Sequence, residues 1–495
     1  MLALAGKIVS FDSHRPPVED GVVYIADDGK IAAVSTAGQS APPEFASTSV
    51  VKTGGVLYPG LIDLHSHILY NLRTLWAPPR TEPYASHNQW PGEGTYPQEI
   101  TGPAKIWSKS PAAKEVLAYA EVKAIVGGTT AIQGAPGTSK PYEGFLVRNV
   151  DNETFGSGDD KVSQSALTLE LDALRQRAKK MREGSTFVYH LAEGTTPKLL
   201  DEFKDVTTAQ CLQERLVAIH VTALAAHEFE EWSPHAGSIV WSPFSNLWLY
   251  RDTTKVVEAR DAKLRVCLGS DWGPSGSKNV LGELKVADLW NRDHLGGAFS
   301  DQQLCGMVTT NPADALEWTD RAGRLKPGLE ADILVVEDRA DDPFRNLIEA
   351  TERDVRLVLI GGNARYGRTD LMRKAKAQAV EPIPQAGRGR SISLAGGQEP
   401  MTWQSVLASL EAVRKDPAGA IGHTDRARAR GEEPFELFPD MPEGPLTRAV
   451  DLSTVTIPPL DTLRHDAAFF RALERSKAPI LDGLLDRLPD YYGAK

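Results

Sequence analysis

The chain has 495 residues, of which 41% are hydrophobic and 24% are charged, a composition typical of a globular protein with a large domain and at least one more. Its net charge of -11 and pI near 5.6 argue against a general nucleic-acid binder, which needs a basic surface. No stretch approaches 18 consecutive apolar residues, and the N-terminus lacks the pattern of a secretory signal. The sequence therefore predicts a cytoplasmic protein that contacts neither nucleic acid nor membrane.

The first 57 residues read as short strands, with a hairpin signal at Asp28-Gly29. Over residues 58–322, short apolar runs alternate with helical stretches, which predicts βαβ units and parallel strand pairing. This segment of roughly 265 residues fits a (β/α)8 barrel, for which about 250 residues is typical. Strand-and-turn texture returns over residues 323–370. We therefore expect an α/β protein in which both flanks of a TIM barrel form one small β-sandwich.

The last part of the chain, residues 371–495, begins with a segment that is first basic and then rich in Pro, Gly and Ser, as in a linker or extended arm. A helical extension follows, with apolar residues at helical spacing: Trp403, Val406, Leu407, Leu410 and Val413. We expect this extension to serve packing or assembly, with an active-site lid as the alternative. The three cysteines, Cys211, Cys267 and Cys305, form no Cys-x-x-Cys pattern and are expected to be buried thiols.

Polar side chains follow several of the apolar runs at the point where each predicted strand ends. In a (β/α)8 barrel the working residues sit at the carboxyl ends of the strands. In "GLIDLHSH" the two histidines are separated by one residue, so in a strand both imidazoles point the same way. The residues at or just beyond these strand ends are His65 and His67, His190 with Glu193 three residues later, His220, and Asp271.

This ordered set resembles the amidohydrolase superfamily, and in particular the branch that contains atrazine chlorohydrolase and the cytosine and guanine deaminases. The resemblance covers about residues 1–370 in the family's order, and the C-terminal hundred residues lie outside it. It rests on the segments "YPGLIDLHSH", "GGTTAIQG", "HLAEG", "SPFSNLWL", "LGSDW" and "TTNPADALEWTDRAGRLKPGLEADILVVE".

The resemblance implies a metal centre of four ligands, namely His65, His67, His190 and Asp271. Three neutral imidazoles and one carboxylate suit Zn2+, and Fe2+ would serve similarly. Zinc with an open position lowers the pKa of a bound water from 15.7 toward about 7. The expected catalytic residues are Asp271 as base, Glu193 as proton carrier and His220 as a hydrogen-bond donor to the substrate.

Two of these roles leave alternatives open. Glu193 could instead be a solvent-facing loop residue, and His220 could be a fourth imidazole ligand in a two-metal site bridged by a carboxylated lysine. Lys161 is the only lysine near the end of the predicted fourth strand. We therefore expect one metal ion.

A long segment between Tyr70 and Pro111 follows the first barrel strand, and unstructured loops of this length are usually functional. Its aromatic residues Trp76, Trp90, Tyr96 and Trp107 could stack on a planar substrate or pin the loop to the barrel. Asn246 and Trp241, in "WSPFSNLWLY", stand at another strand end. The predicted substrate-binding residues are Trp90, Tyr96 and Asn246.

These features predict a metal-dependent hydrolase of carbon-nitrogen bonds other than peptide bonds, acting on a small planar or nitrogen-containing molecule. A metal-activated water would attack an amidine-like ring carbon, as in deamination, or an amide. The alternatives are a binuclear cyclic amidase and a non-catalytic binding relative. Homo-oligomers are common in the family, and the appended helices could supply an interface. The sequence does not name the substrate.

Overall fold

The structure is a computed structural model, and it describes residues 1–36, 38–134, 137–138, 146–151, 155, 161–396, 401–438, 451–460, 466–475, 487–488 and 491. The described strands are β1 Leu2–Ile8, β2 Val18–Ile25, β3 Ile31–Thr36, β4 Val50–Pro59, β5 Leu61–Asp63, β6 Thr129–Ile132, β7 Gly137–Thr138, β8 Arg148–Asn149, β9 Val162–Ser165, β10 Thr186–Leu191, β11 Leu216–His220, β12 Ser238–Trp241, β13 Arg265–Leu268, β14 Ile333–Glu337, β15 Val355–Ile360, β16 Asn363–Arg368, β17 Val380–Pro382, β18 Arg390–Ser393 and β19 Leu437–Phe438.

The described α-helices alternate with the central strands and then dominate the C-terminal part. They are α1 Gly102–Lys109, α2 Ala113–Val126, α3 Leu171–Arg182, α4 Leu200–Thr208, α5 Ala226–Trp232, α6 Pro243–Tyr250, α7 Val256–Asp261, α8 Val280–Asp293, α9 Asp301–Gly306, α10 Thr310–Ala315, α11 Pro343–Glu349, α12 Thr369–Lys374, α13 Trp403–Lys415, α14 Pro417–Ala429 and α15 Ala467–Arg475. None of the helices in this described part is long and apolar enough to cross a bilayer.

The central strands form parallel sheets, as the alternation of apolar runs and helices predicts. One sheet has the order β5-β6-β8 and the other the order β13-β12-β11-β10-β9, and the described strands within each sheet pair in parallel. The strand residues are almost all buried because helices cover these sheets. All carboxyl ends of such a sheet lie at one edge, which is where the predicted site residues stand.

Both flanks of the central segment join one mixed sheet with the order β17-β18-β16-β15-β14-β4-β1-β2-β3. The flanks meet where β14 pairs antiparallel with β4, with Val335 opposite Leu57. The predicted hairpin joins β2 to β3, and Gly29 takes the positive φ of 81° that such a turn requires. Both flanks thus contribute strands to one nine-stranded sheet.

This sheet extends further along the chain than the sequence predicts. Strands β17 and β18 lie inside the segment that was expected to be a linker, and β18 pairs with β16. Ile392 is fully buried, and the hydroxyl of Ser393 donates to the carbonyl of Gln378 at 2.6 Å. The sequence does not predict these two short strands because the surrounding Pro, Gly and Ser residues are typical of loops.

The described part of the C-terminal extension packs against the central domain. The predicted apolar residues of α13 face the main hydrophobic core. Trp403 stacks on Tyr119 of α2 with ring centroids 5.5 Å apart, and the Tyr119 hydroxyl donates to the carbonyl of Pro458 at 2.6 Å. The three cysteines are buried thiols, as expected.

Candidate active site

The predicted site residues meet at the carboxyl ends of the parallel strands. His65 and His67 follow β5, His190 lies near the end of β10, His220 is the last residue of β11, and Asp271 follows β13. The amide of Asp271 donates to the carbonyl of His65 at 2.9 Å, which holds β13 beside β5. His220 and Asp271 have φ values of 67° and 60°, a left-handed conformation that is uncommon for non-glycine residues.

Five of these side chains form a compact cluster of metal-binding atoms. Oδ1 of Asp271 lies 3.1 Å from Nε2 of His65 and 3.5 Å from Nε2 of His67. The ring centroid of His190 lies 4.7 Å from that of His65 and 5.3 Å from that of His67. Candidate ligand atoms lie within 4.8 Å of one another in two overlapping groups, His65 with His67 and Asp271, and His65 with His190 and His220.

Close packing around His65 explains two further residues at the junction of β5 and β13. A Cβ atom on Gly269 would lie 2.4 Å from Cβ of His65, so only glycine lets the strand approach this closely. Asp63 accepts hydrogen bonds from the amide of Ser270 at 2.9 Å and from its hydroxyl at 2.5 Å. Burial raises the pKa of Asp63 to about 7 although both hydrogen bonds act in the opposite direction.

The electrostatics of the cluster favour neutral imidazoles around one carboxylate. Burial lowers the pKa of His65, and it lowers the pKa values of His190 and His220 well below their usual range, reinforced by the neighbouring imidazoles. Burial alone would raise the pKa of Asp271, but the adjacent imidazoles, His65 first, outweigh it and hold the pKa below its usual value. Neutral imidazole and ionised carboxylate are the forms that bind a metal.

These residues fit a divalent cation. Among the described residues, Nδ1 of His190 is buried without a hydrogen-bond partner, and the buried Nε2 of His65 lies 3.1 Å from Oδ1 of Asp271. A buried polar atom left unpaired costs about 1–3 kcal/mol, and a bound cation would give such nitrogens a partner. Three imidazoles and one carboxylate are a donor set that suits zinc with a further position open.

Glu193 faces the same site from the loop after β10. Its Oε1 accepts a hydrogen bond of 2.6 Å from the hydroxyl of Tyr250 and lies 3.6 Å from Nε2 of His220. Its Oε2 lies 3.5 Å from Nδ1 of His87. Burial, assisted by the charge of Asp271, raises the pKa of Glu193 to about 8. Glu193 is 5% exposed, which contradicts the alternative of a solvent-facing loop residue.

A cavity of about 160 Å3 lies over the cluster. Leu167 lines it and is 46% exposed, which places solvent access beside the loop after β9. The other lining residues include His67, His87, Trp90, His190, Glu193, His220, Asp271 and Trp272.

The predicted substrate-binding residues occupy different positions around this cavity. Trp90 lines it, whereas Tyr96 and Asn246 are fully buried and are not among its lining residues. Asn246 contacts His220 instead, with its Nδ2 3.0 Å from Nδ1 of that ring. Trp241 is also buried, and its indole donates to the hydroxyl of Thr253 at 2.7 Å.

The long segment after β5 is attached to the site instead of hanging free. Ser86 forms an isolated antiparallel bridge with Gly194, and the amide of His87 donates to the carbonyl of Glu193 at 3.2 Å. A Cβ on Gly194 would lie 2.3 Å from the carbonyl oxygen of Ala85, and Gly194 has a φ of 137°, which accounts for the glycine of "HLAEG". Short helical turns and α1 fill much of this segment, and Trp76, Tyr96 and Trp107 are buried in the core.

Sequence reasoning missed several contributors to the site. Tyr250 is the last residue of α6, and Trp272 follows Asp271 with its indole ring 6.2 Å from the ring of His67. His87, which lies in the long loop, was not among the predicted site residues. Tyr250 and His87 belong to no strand-end pattern, so only the packing of a helix end and a loop brings them to Glu193.

Lys161 lies at the opposite end of the strands from the site. It immediately precedes β9, whose first residue Val162 pairs with Thr186 at the start of β10, whereas His190 stands near the end of β10. The side chain is exposed. Lys161 therefore does not join the cluster of imidazoles.

Comparisons with known proteins agree with this arrangement. The model of the amidohydrolase family matches residues 170–365. A 5-methylthioadenosine/S-adenosylhomocysteine deaminase of Pyrococcus furiosus is 30% identical over 34% of this chain, and the match spans 42% of the relative's length. A 5'-deoxyadenosine deaminase of Methanococcoides burtonii is 22% identical over 77% of this chain and 95% of its own.

Solved structures show the same fold at lower identity. An atrazine chlorohydrolase from Arthrobacter aurescens complexed with zinc superimposes with a TM-score of 0.63 and 17% identity, covering 83% of this chain and 100% of that one. An adenosine deaminase from Xanthomonas campestris with bound zinc gives a TM-score of 0.59 and 17% identity, covering 84% of this chain and 98% of that one. The chain thus resembles the amidohydrolase family over residues 170–365 and shares its fold with these solved structures.

Proposed function

We propose that the protein is a metal-dependent hydrolase of carbon-nitrogen bonds other than peptide bonds, and that it deaminates a small nitrogen-containing ring. The observation that carries this proposal is the meeting of two differently ionised carboxyl groups over a cluster of neutral imidazoles. Asp271 has a lowered pKa and Glu193 a raised one, so at neutral pH one is a base and the other an acid. Such a pair can both take and give protons at one carbon centre.

His65, His67, His190 and Asp271 would hold a single divalent cation, for which zinc fits the donor set best and Fe2+ is the alternative. The cation would supply a Lewis acid that lowers the pKa of water toward about 7. Because Lys161 lies at the other end of the strands, a bridging carboxylated lysine has no support from the described residues. We therefore propose one cation per chain.

The chain's own residues account for every proton in the reaction. Asp271 accepts a proton from water as the oxygen bonds to the ring carbon, and Glu193 gives its proton to the adjacent ring nitrogen. Glu193 then recovers a proton from the new hydroxyl group, while Asp271 passes its proton to the amine. The carbon-nitrogen bond breaks, ammonia leaves, and both carboxyl groups return to their starting states. His220, beside Glu193, donates a hydrogen bond that stabilises developing negative charge.

We also propose that the central strands close into a (β/α)8 barrel. Eight described strands follow the chain order of a (β/α)8 barrel: β5, β6, β8, β9, β10, β11, β12 and β13. The parallel bridge between Ser66 and Asp271 supports closure between the first and the last of them.

Trp90 would contact the substrate ring, since it lines the cavity. Tyr96 is proposed to support Trp272, whose ring centroid is 6.4 Å away. The domain bounds predicted above, a cytoplasmic location and homo-oligomers stay predictions.

The proposal is tested by ammonia release from a panel of adenosine, 5'-methylthioadenosine, 5'-deoxyadenosine, adenine, guanine, cytosine, aminotriazines and cyclic amides. We expect ammonia from at least one aminated ring, loss of this activity after chelation, and recovery with Zn2+. A cyclic amidase would open an amide ring without releasing ammonia, and a non-catalytic relative would turn over nothing.

Two histidine substitutions, one in the proposed metal site and one at the surface, provide a matched comparison. His190→Asn should lose both zinc and activity, whereas His235→Asn, which changes an exposed histidine, should lose neither. Full activity of the chelated protein would contradict the proposal. So would undiminished zinc content in His190→Asn.

A further inference from the structure

The ring of His220 stands between two sets of partners, and its tautomer decides what it can do. On the cavity side, Nε2 lies 3.6 Å from Oε1 of Glu193, and one ring nitrogen lies within 4.8 Å of ligand atoms of His65 and His190. On the other side, Nδ1 lies 3.0 Å from Nδ2 of Asn246. A proton on Nε2 makes the cavity face a hydrogen-bond donor, whereas a lone pair on Nε2 makes it a metal ligand.

The orientation of the Asn246 amide is set by a buried chain of hydrogen bonds. The indole of Trp241, which can only donate, donates to Oγ1 of Thr253 at 2.7 Å. The Thr253 hydroxyl proton is therefore directed elsewhere, and Oδ1 of Asn246 lies 3.4 Å away. With Oδ1 turned toward Thr253, the NH2 group of Asn246 faces His220.

A neighbouring hydroxyl holds the backbone of His220 in place. Thr254 donates its single proton to the carbonyl of His220 at 2.5 Å. Asn246 is 0% exposed and His220 is 1% exposed, so these groups have no access to bulk water as a substitute partner. The contacts around the amide therefore determine which of its ends meets the imidazole.

We propose that Asn246 is a positioning residue that donates to Nδ1 of His220 and thereby keeps the ring proton on Nε2, facing the cavity. This inference rests on the proposed function. His220 then donates a hydrogen bond to the substrate and cannot offer Nε2 to a second cation. Asn246 thus acts through His220 instead of touching the substrate, and Trp241 and Thr253 set the orientation of its amide.

Asn246→Asp tests the proposal with almost no change in shape. A carboxylate only accepts hydrogen bonds, so it would draw the ring proton to Nδ1 and leave the lone pair of Nε2 beside His65 and His190. We expect zinc content at saturation, measured by elemental analysis, to stay at about one ion per chain, and kcat to fall about 10- to 100-fold because Nε2 no longer donates to the substrate. Asn363→Asp, which changes an exposed asparagine, controls for the added charge.

A second measurement reads the tautomer without relying on turnover. In zinc-loaded protein with 15N-labelled histidine, the His220 signals should report a proton on Nε2, and Asn246→Asp should lose that signal. Thr253→Val removes the hydroxyl that orients the amide and should give a mixture of tautomers, whereas Thr253→Ser should restore the proton to Nε2. His220→Asn assigns the signals, and circular dichroism confirms that each variant is folded.

The outcomes separate this proposal from the proposed function. An Asn246→Asp variant that keeps a protonated Nε2 overturns it. If no member of the substrate panel is turned over, the proposed function fails, but the tautomer of His220 still decides the role of Asn246.

Discussion

The hydroxyl of Tyr250 donates a hydrogen bond of 2.6 Å to Oε1 of Glu193, the carboxyl group that we propose as the acid. This bond lowers the pKa of Glu193, while burial and the charge of Asp271 raise it, with a net value of about 8. Burial, and then the proximity of Glu193, raises the pKa of Tyr250 well above its usual value, so the phenol stays a donor. Two groups from distant parts of the chain thus set the proton content of the site.

Tyr250→Phe tests this relationship through the pH profile of the reaction. Loss of the hydrogen bond should raise the pKa of Glu193, so its protonated form would persist to higher pH. We expect the alkaline limb of kcat, which reflects ionisation of Glu193, to move to higher pH, with a smaller kcat at its plateau. A limb that stays in place or moves to lower pH would show that Glu193 does not control it.

Glu193→Gln should separate proton transfer from metal binding. The amide retains the shape of the side chain but cannot release a proton to the ring nitrogen. We expect kcat to fall about 100- to 10,000-fold, the range found for loss of a general acid or base. Zinc content should stay at the wild-type level because Glu193 is not among the proposed ligands. A variant that keeps full activity would exclude Glu193 as the proton carrier.

Lys123 gives a prediction about stability instead of activity. It lies inside α2, 3% exposed, and its Nζ donates to the carbonyl of Asn71 at 3.0 Å. Burial, and then the nearby charge of Lys278, lowers its pKa to about 7 from an ordinary value of 10.5. Between these values the unfolded chain binds one more proton than the native state, so the free energy of unfolding rises with pH.

Lys123→Met removes that proton and therefore that pH dependence. The difference in free energy of unfolding, wild type minus variant, should increase by about 1.4 kcal/mol per pH unit above pH 7. Urea denaturation at two pH values measures it. Lys179→Met, which changes an exposed lysine of α3, is the control for loss of a charge. The same difference at both pH values would mean that Lys123 stays protonated in the native state.

Trp403→Ala distinguishes a packing role of the C-terminal extension from the role of an active-site lid. Trp403 is 2% exposed and stacks on Tyr119, so its loss should cost about 3–5 kcal/mol of stability, the range for large-to-small core changes. Gln404→Ala, at the neighbouring exposed position, should cost little. Under the packing role KM should not change, whereas a large rise in KM with little loss of stability would favour a lid.

The sequence predicts the core of the site because that core follows a local rule. His65, His190, His220 and Asp271 each stand at the end of an apolar run, and parallel strands bring such ends to one edge. Tyr250 and His87 follow no such rule, since a helix end and a long loop carry them to Glu193. The role proposed for Asn246 could not be predicted from the sequence, because it depends on the contact between its Nδ2 and Nδ1 of His220.

The fold shows the same division between local pattern and long-range packing. The alternation of strands and helices indicates parallel sheets, and the hairpin at Asp28-Gly29 follows from its turn residues. Strands β17 and β18 could not be predicted because each has only three or four residues within a Pro- and Gly-rich segment. β18 forms because it pairs with β16, which lies more than 20 residues earlier in the chain, and no local sequence pattern indicates that pairing.

The most direct test of the central claim is a crystal structure of the zinc-loaded protein with anomalous data collected at the zinc edge. We expect one zinc ion bound by His65, His67, His190 and Asp271. The ring of His220 should face Glu193 and should not bind the metal. Zinc at another place, or His65, His67, His190 and Asp271 too far apart to share one ion, would contradict it.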